Sequence, residues 1–196
     1  MRASRCVRNA RSNIYVISKR KLNRLHCAVM AQFLFSVRMH AMETPPVSLA
    51  LEKLNIPHQI FRHETPVDSF EKAASDRGQR PSQIVRTILF RVSEEEFALV
   101  LVAGPGQISW KLLRKLLGKS RITMATEEEV ISVTGYRPGT VGPFGLLKPA
   151  RIMVEAGLLK EEEVSIGSGM RDTAVILKTN DLMKALGNVE VVELFE

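Results

Sequence analysis

Beyond residue 41 this 196-residue chain has no cysteine; its two, Cys6 and Cys27, both lie before that point. A disulfide framework and a thiolate metal site are therefore excluded for the bulk of the protein. Histidine is nearly as scarce, with only His58 and His63 in residues 42–196. The H-E-x-x-H zinc helix, the G-x-S-x-G nucleophile elbow and the G-x-x-x-x-G-K-[ST] phosphate loop are all missing. This inventory supports neither a nucleophilic triad nor a metal centre, and no metal or cofactor is expected. No run approaches the roughly 18 apolar residues that a membrane-spanning helix needs, so no membrane partner is expected. An enzyme with these side chains must rely on positioned water and backbone donors.

Acidic residues are absent from 1–41, which holds nine Lys and Arg. Of 28 basic residues in all, 19 remain in 42–196, against 21 acidic ones. The net charge of +7 and the pI near 9.7 thus belong to the N-terminal segment. The remainder is close to neutral, so RNA contact must come from a local patch, and DNA is not an expected partner. An Arg-rich, Ser-containing, acid-free segment has the composition of an organellar transit peptide. LHCAVMAQFLFSV after its basic lead loosely imitates a signal peptide. The abrupt change of composition also suits an upstream extension ahead of a start at Met42, and a basic disordered arm is a further reading. The expected organisation is a basic extension, 1–41, and one folded domain, 42–196.

That domain alternates short helical and extended signals. Residues 46–55 (PVSLALEKLN) predict a proline-opened helix with Val47, Leu51 and Leu54 on one face. HQIFRHE (58–64) predicts a strand, and SFEKAASDRG (69–78) a helix from a Ser69 cap to a Gly78 stop. SQIVRTILFRV (82–92) and FALVLVAG (97–104), joined by SEEE, predict a hairpin whose second strand is buried. ISWKLLRKLLGKSR (108–121) predicts a helix capped by Ser109 and ended by Gly118. Leu112, Leu113, Leu116 and Leu117 share one face, with Lys111, Arg114, Lys115 and Lys119 opposite. ITMA predicts a short strand, and TEEEVISVTG carries a Thr126/Glu129 capping box. Strands are expected over 151–158, 162–169 and 172–179, then a capped helix over 180–187 and a last strand in VEVVELF. The fold class is α/β with α+β character: one domain with a mixed, mostly antiparallel curved sheet flanked by short helices.

Three features invite a functional reading. TGYRPGTVGPFG (134–145) holds four glycines and two prolines in twelve residues. IGSGMRD (166–172) sets Gly-Ser-Gly between two apolar strands. Such glycines permit positive φ and leave N–H groups unshielded. Two loops of this kind across one cleft could cradle a carboxylate, a phosphate or a developing oxyanion; both also suit bulged turns. GPGQIS (104–109), ahead of a helix, suits either an anion or a plain strand–helix turn. The third feature is Arg86. An extended 84–92 places it beside Ile84, Ile88, Phe90 and Val92 on the apolar face, where an arginine needs a partner or a cleft. A strand that begins only at Thr87 would leave it a solvated end.

Together, QIVRTILF, TGYRPGTVGPFG and the late IGSG resemble the YbaK / prolyl-tRNA synthetase-associated domain family, in the family's order and over about 45–195. The resemblance implies a mixed α/β fold and trans-editing, the hydrolysis of mischarged aminoacyl-tRNA, with the tRNA acceptor end as partner, a synthetase as a possible second one, and a cytoplasmic location. It puts the catalytic loop at Gly139 and Gly142, opposite Arg86. Tyr136, Thr140, Val141, Pro143, Phe144, Gly167, Ser168 and Gly169 become substrate-binding residues. Lys111, Arg114 and Lys115 are the candidate tRNA contacts. The family carries a lysine in a [VI]-x-K-[TS]-L context, whereas this chain reads Ile84-Val85-Arg86-Thr87-Ile88. Arginine preserves a cation that can orient substrate but not one that can give up its proton. The departure keeps two other readings open: a non-catalytic relative that binds aminoacyl-tRNA or a synthetase, and a small-molecule esterase or amidase.

Overall fold

The computed structural model describes residues 43–67 and 69–195. The basic segment and the readings attached to it lie outside them. From Thr44 onward the chain forms one unit. Its elements run α1 (Pro46–Lys53), β1 (Gln59–Arg62), α2 (Phe70–Asp76), β2 (Val85–Arg91), β3 (Phe97–Ala103), α3 (Trp110–Leu117), β4 (Thr123–Met124), α4 (Glu127–Thr134), β5 (Arg151–Glu155), β6 (Glu163–Gly167), β7 (Thr173–Lys178), α5 (Thr179–Leu186) and β8 (Glu190–Val192). Short 3-10 turns cover Pro81–Gln83 and Ala156–Lys160. Among the described residues no helix is long and apolar enough to cross a membrane.

The mixed α/β class is as expected, but the strands form two sheets where one was predicted. Three antiparallel strands are ordered β1-β7-β6, and five are ordered β4-β2-β3-β5-β8. In the larger sheet β3–β5 and β5–β8 are parallel, and the other pairs antiparallel. A single parallel bridge, Ile84 to Ser165, links the start of β2 to β6. The two sheets therefore diverge from that point, and the space they leave becomes the site.

The β2–β3 hairpin separates two apolar clusters. Val85, Leu89, Leu99 and Leu101 face Val47, Leu51, Ile166 and Val175. Phe90, Val100 and Val102 face Leu113, Leu117, Met153 and Leu194. Burial on both faces explains the unbroken apolar run of β3; each fully buried Leu or Val contributes about 1.5–3 kcal/mol.

The helix boundaries follow local chemistry. Ser69 and Ser109 hydroxyls accept from the Lys72 and Leu112 amides, and Gly118 ends α3 in the left-handed region. Thr126 and Glu129 close a capping box in both directions, at 2.8 and 3.3 Å. Thr126→Ala should lower stability by about 1 kcal/mol, read as a shift of the urea midpoint without a change of slope. Three expectations fail. Leu54 is 50% exposed because α1 stops at Lys53. Leu116 is also exposed, so the buried stripe of α3 is Leu113 and Leu117, with Leu112 packed at its edge. α5 has no side-chain cap; instead the Thr179 hydroxyl donates to the Glu161 carbonyl at 2.5 Å.

Candidate functional site

The two glycine-bearing loops meet, and what most of their glycines approach is each other. A Cβ added at Gly142 would overlap the Gly167 carbonyl oxygen and the Val47 side chain. One added at Gly167 would overlap the Val141 carbonyl and stand 2.7 Å from that of Thr140. The Gly169 N–H donates to the Thr140 carbonyl at 2.8 Å, and the Val47 N–H to the Ser168 carbonyl at 3.2 Å. The loops thus interlock backbone to backbone, with α1 behind them. Tyr136 is buried beneath and donates its hydroxyl to the Phe144 carbonyl at 2.6 Å. Burial pushes that phenol above its usual range, so it stays a neutral donor.

Gly139 behaves differently. Arg137-Pro138-Gly139-Thr140 is a tight turn closed by the Thr140 N–H on the Arg137 carbonyl at 3.1 Å, with Gly139 at φ +82°. Proline second and a positive-φ glycine third are the signature of a type II turn. Nothing lies within 4 Å of the position a Gly139 Cβ would take. Among the described residues, neither the Gly139 nor the Val141 N–H has an acceptor.

The turn forms one wall of a cavity of about 500 Å³ between the two sheets. Arg86, Gly139, Thr140, Val141 and Gly167 all line it. Tyr136, Gly142, Pro143, Phe144, Ser168 and Gly169 do not line it: Tyr136, Gly142, Pro143 and Phe144 are buried behind the wall. Gly169 packs on Pro46 and Tyr136. The Ser168 hydroxyl, fully buried, donates to the Met170 and Thr173 carbonyls and accepts from the Met170 amide, so it braces the turn into β7. For these residues the geometry gives packing and bracing where substrate contact was expected. Lys111, Arg114 and Lys115 sit on α3, outside the lining.

Arg86 falls within β2, opposite Val102, and shares its face with Ile88, Phe90 and Val92 as the alternation predicts, whereas Ile84, expected on the same face, precedes the strand and packs with Ala73 and Ala74. Its Nη2 donates to the Gly106 carbonyl. Among the described residues its buried Nε has no partner, nor has the hydroxyl of Thr87, the next residue in the strand. Burial lowers the guanidinium pKa from its ordinary value, yet an arginine remains charged. The GPGQIS loop therefore serves as a carbonyl anchor for Arg86, with the Phe195 ring against Gly106.

Sequence reasoning missed another part of the lining. His63, Arg77, Ser165, Arg171 and Asp172 also line the cavity. The His63 side chain is fully buried; its Nδ1 donates to Asp76 at 2.9 Å and its Nε2 accepts from Arg77 at 3.1 Å. Arg77 also donates to the Ser165 hydroxyl at 2.8 Å. Burial lowers the Arg77 pKa, and the Asp76 charge opposes that shift in part. Asp172, at φ +52°, accepts from the Val67 amide at 3.3 Å and, through its carbonyl, from His63 at 2.9 Å. His58, by contrast, is structural: it donates from Nδ1 to the Ile56 carbonyl and accepts the buried Ser48 hydroxyl on Nε2.

Comparison with known proteins agrees with this architecture. The sequence model of one protein family, the aminoacyl-tRNA editing domain, matches residues 64–185. The chain is 30% identical over 129 residues to the uncharacterized protein YwhH of Bacillus subtilis, covering 65% of this chain and 81% of that protein. It is 31% identical over 96 residues to the proline–tRNA ligase of Aquifex aeolicus, covering 49% of this chain and only 17% of the ligase. A solved structure described as a candidate trans-editing enzyme for prolyl-tRNA synthetase superposes with a TM-score of 0.69 at 27% identity, over 77% of this chain and 95% of that one.

Proposed function

Because the chain belongs to the aminoacyl-tRNA editing domain family, we propose that it hydrolyses the ester of mischarged aminoacyl-tRNA in trans, without a metal. The observation that carries this reading is the cavity wall. The open Gly139 turn, whose Gly139 and Val141 N–H groups have no acceptor among the described residues, lines a space that is also lined by Arg86 and Asp172. A water attacks the ester carbonyl carbon. The oxygen that becomes negative is received by the Gly139 and Val141 amides; the Thr140 amide already serves the Arg137 carbonyl. One such donor is worth about 10²–10³ in rate. As the tetrahedral intermediate collapses, the carbon–oxygen bond to the ribose breaks and the proton from water ends on the ribose hydroxyl. Asp172 opposes the substrate's α-ammonium, and Arg86, held by Gly106, keeps the acceptor end in register. The pocket sorts acyl groups by size, at about 1–3 kcal/mol per methylene.

The test is ester loss from a panel of alanyl-, cysteinyl- and seryl-tRNA species mischarged on noncognate tRNA. Turnover by the wild-type chain supports the reading. Binding without turnover supports a non-catalytic relative, which the replacement of the family lysine by Arg86 favours. Turnover of free aminoacyl esters with no preference for tRNA would point to a small-molecule esterase.

For tRNA itself the proposed contacts are Lys111, Arg114 and Lys115. Neutralising all three should flatten the slope of log affinity against log salt by about 2, as expected for lost phosphate contacts. An unchanged slope would remove α3 from the interface.

A further inference from the structure

Arg77 lines the same cavity as the Gly139 turn, and its surroundings are unusual for an enclosed cation. Of the five N–H donors of its guanidinium, Nε and one on Nη2 go to His63 Nε2, both at 3.1 Å, and one on Nη1 goes to the Ser165 hydroxyl. Among the described residues two donors remain without a partner, one on each Nη. Its partners are a histidine nitrogen and a serine hydroxyl, and both are neutral. His63 must be neutral because its Nε2 accepts, while its Nδ1–H donates to Asp76. Among the described residues no carboxylate pairs directly with Arg77; the nearest charge, Asp76, stands on the far side of the imidazole.

Withdrawing a cation from water without a counter-ion is costly, and folds rarely retain it unless the counter-charge comes from elsewhere. The lining sharpens the point. Arg77, Arg86 and Arg171 face a single described carboxylate, Asp172, which already accepts from Val67. A purely structural arginine tying α2 to β6 would need only its bonds to His63 and Ser165. It would have no reason to stand in a cavity lined by three arginines with two donors that no described residue uses.

We infer that Arg77 is the cavity's anion-binding residue, receiving an oxyanion of the bound substrate on its free fork, and that His63 and Asp76 are its positioning pair. The oxyanion is either a phosphodiester of the acceptor strand or a carboxylate on the acyl group. A planar fork suits both. This rests on the editing reading for the identity of the substrate but not for the chemistry of the contact.

The test uses the full chain and compares affinity for a CCA trinucleotide with affinity for adenosine, which has no phosphate. It also compares cleavage of glutamyl- and alanyl-tRNA. Arg77→Met should cost about tenfold or more on one of these ratios, the order of one charge-assisted hydrogen bond. Loss confined to CCA over adenosine assigns the phosphodiester; loss confined to glutamyl over alanyl assigns the acyl carboxylate. Arg77→Lys keeps the charge and loses the fork, so it should show a smaller drop on the same ratio, and it serves where the methionine variant fails to fold. Asp76→Asn should lower the same ratio with adenosine affinity unchanged, which a merely structural role would not produce. If both ratios match wild type in every folded variant, the inference is overturned. Absent turnover by the wild-type chain would defeat the editing reading alone, because the CCA-to-adenosine ratio still reports on Arg77.

Discussion

Gly167→Ala should be the most disruptive single methyl in this protein, lowering stability by about 3 kcal/mol. In a domain of this size that is a fall in Tm of roughly 6–12 °C. The new Cβ would run into the Val141 and Thr140 carbonyl oxygens. Both are backbone atoms, so no rotamer change can relieve the overlap. Thr140 is further fixed by its hydroxyl and amide on the Arg137 carbonyl and by its own carbonyl on the Gly169 amide. Either β6 or the 138–141 wall must move, and both border the cavity. Deacylation should fall together with stability. Gly139→Ala separates the two effects. Its methyl meets open space, and the φ of +82° adds only about 1–2 kcal/mol of strain. That variant should fold, yet lose about 10² in kcat/KM, because a shift of about 1 Å in the turn misplaces the amides proposed to receive the oxyanion. Thermal melts beside deacylation assays decide it. A Gly167→Ala protein as stable as wild type would sink the interlocked-loop account. A fully active Gly139→Ala would remove the turn from the chemistry.

These two glycines also mark how far the sequence could be read. Ser69, Ser109, Gly118 and the Thr126/Glu129 box act within a few residues of themselves, so the helices they bound were legible. The alternation that puts Arg86 on the face of Ile88 and Phe90 was legible for the same reason. That the two glycine loops could border one cavity was only half legible, because their composition suited bulged turns equally well. Which glycine does what was not. Gly142 and Gly167 are bare because each faces the other's backbone, and Gly139 because it faces space. Only the tertiary register separates those cases. The division into two sheets depends on the isolated bridge at Ile84 and Ser165, which leaves no local pattern. The Arg77 wall was invisible for a stronger reason: its partners lie 14 and 88 residues away, and FEKAASDRG reads as an ordinary capped helix end.

Arg86→Ala should lower kcat/KM for deacylation by about 10²–10³, the range for removing one preorganised hydrogen-bond donor. The size of the loss alone does not separate a cation that orients the acceptor end from one that exchanges protons. Arg86→Lys does. Lysine restores the residue that the family pattern carries at this position, and it could still reach the Gly106 carbonyl with one donor. As an orienting cation it should recover most of the activity near neutral pH. The wild-type guanidinium holds its charge through any assay pH even though burial lowers its pKa. Its rate should therefore show no alkaline limb from this residue. An ammonium in the same desolvated place has its pKa lowered too, and from a far less basic starting point. Its charged form predominates below that pKa and is lost as the pH rises through it. The lysine variant should accordingly show a kcat/KM that falls on the alkaline side where the wild type is flat. A proton-transferring role predicts the opposite: activity gained as the lysine deprotonates, and a wild-type enzyme that is slow at every pH. Paired pH–rate profiles of the two proteins, on the same mischarged tRNA, distinguish an active-site cation that holds the substrate from one that must surrender its proton.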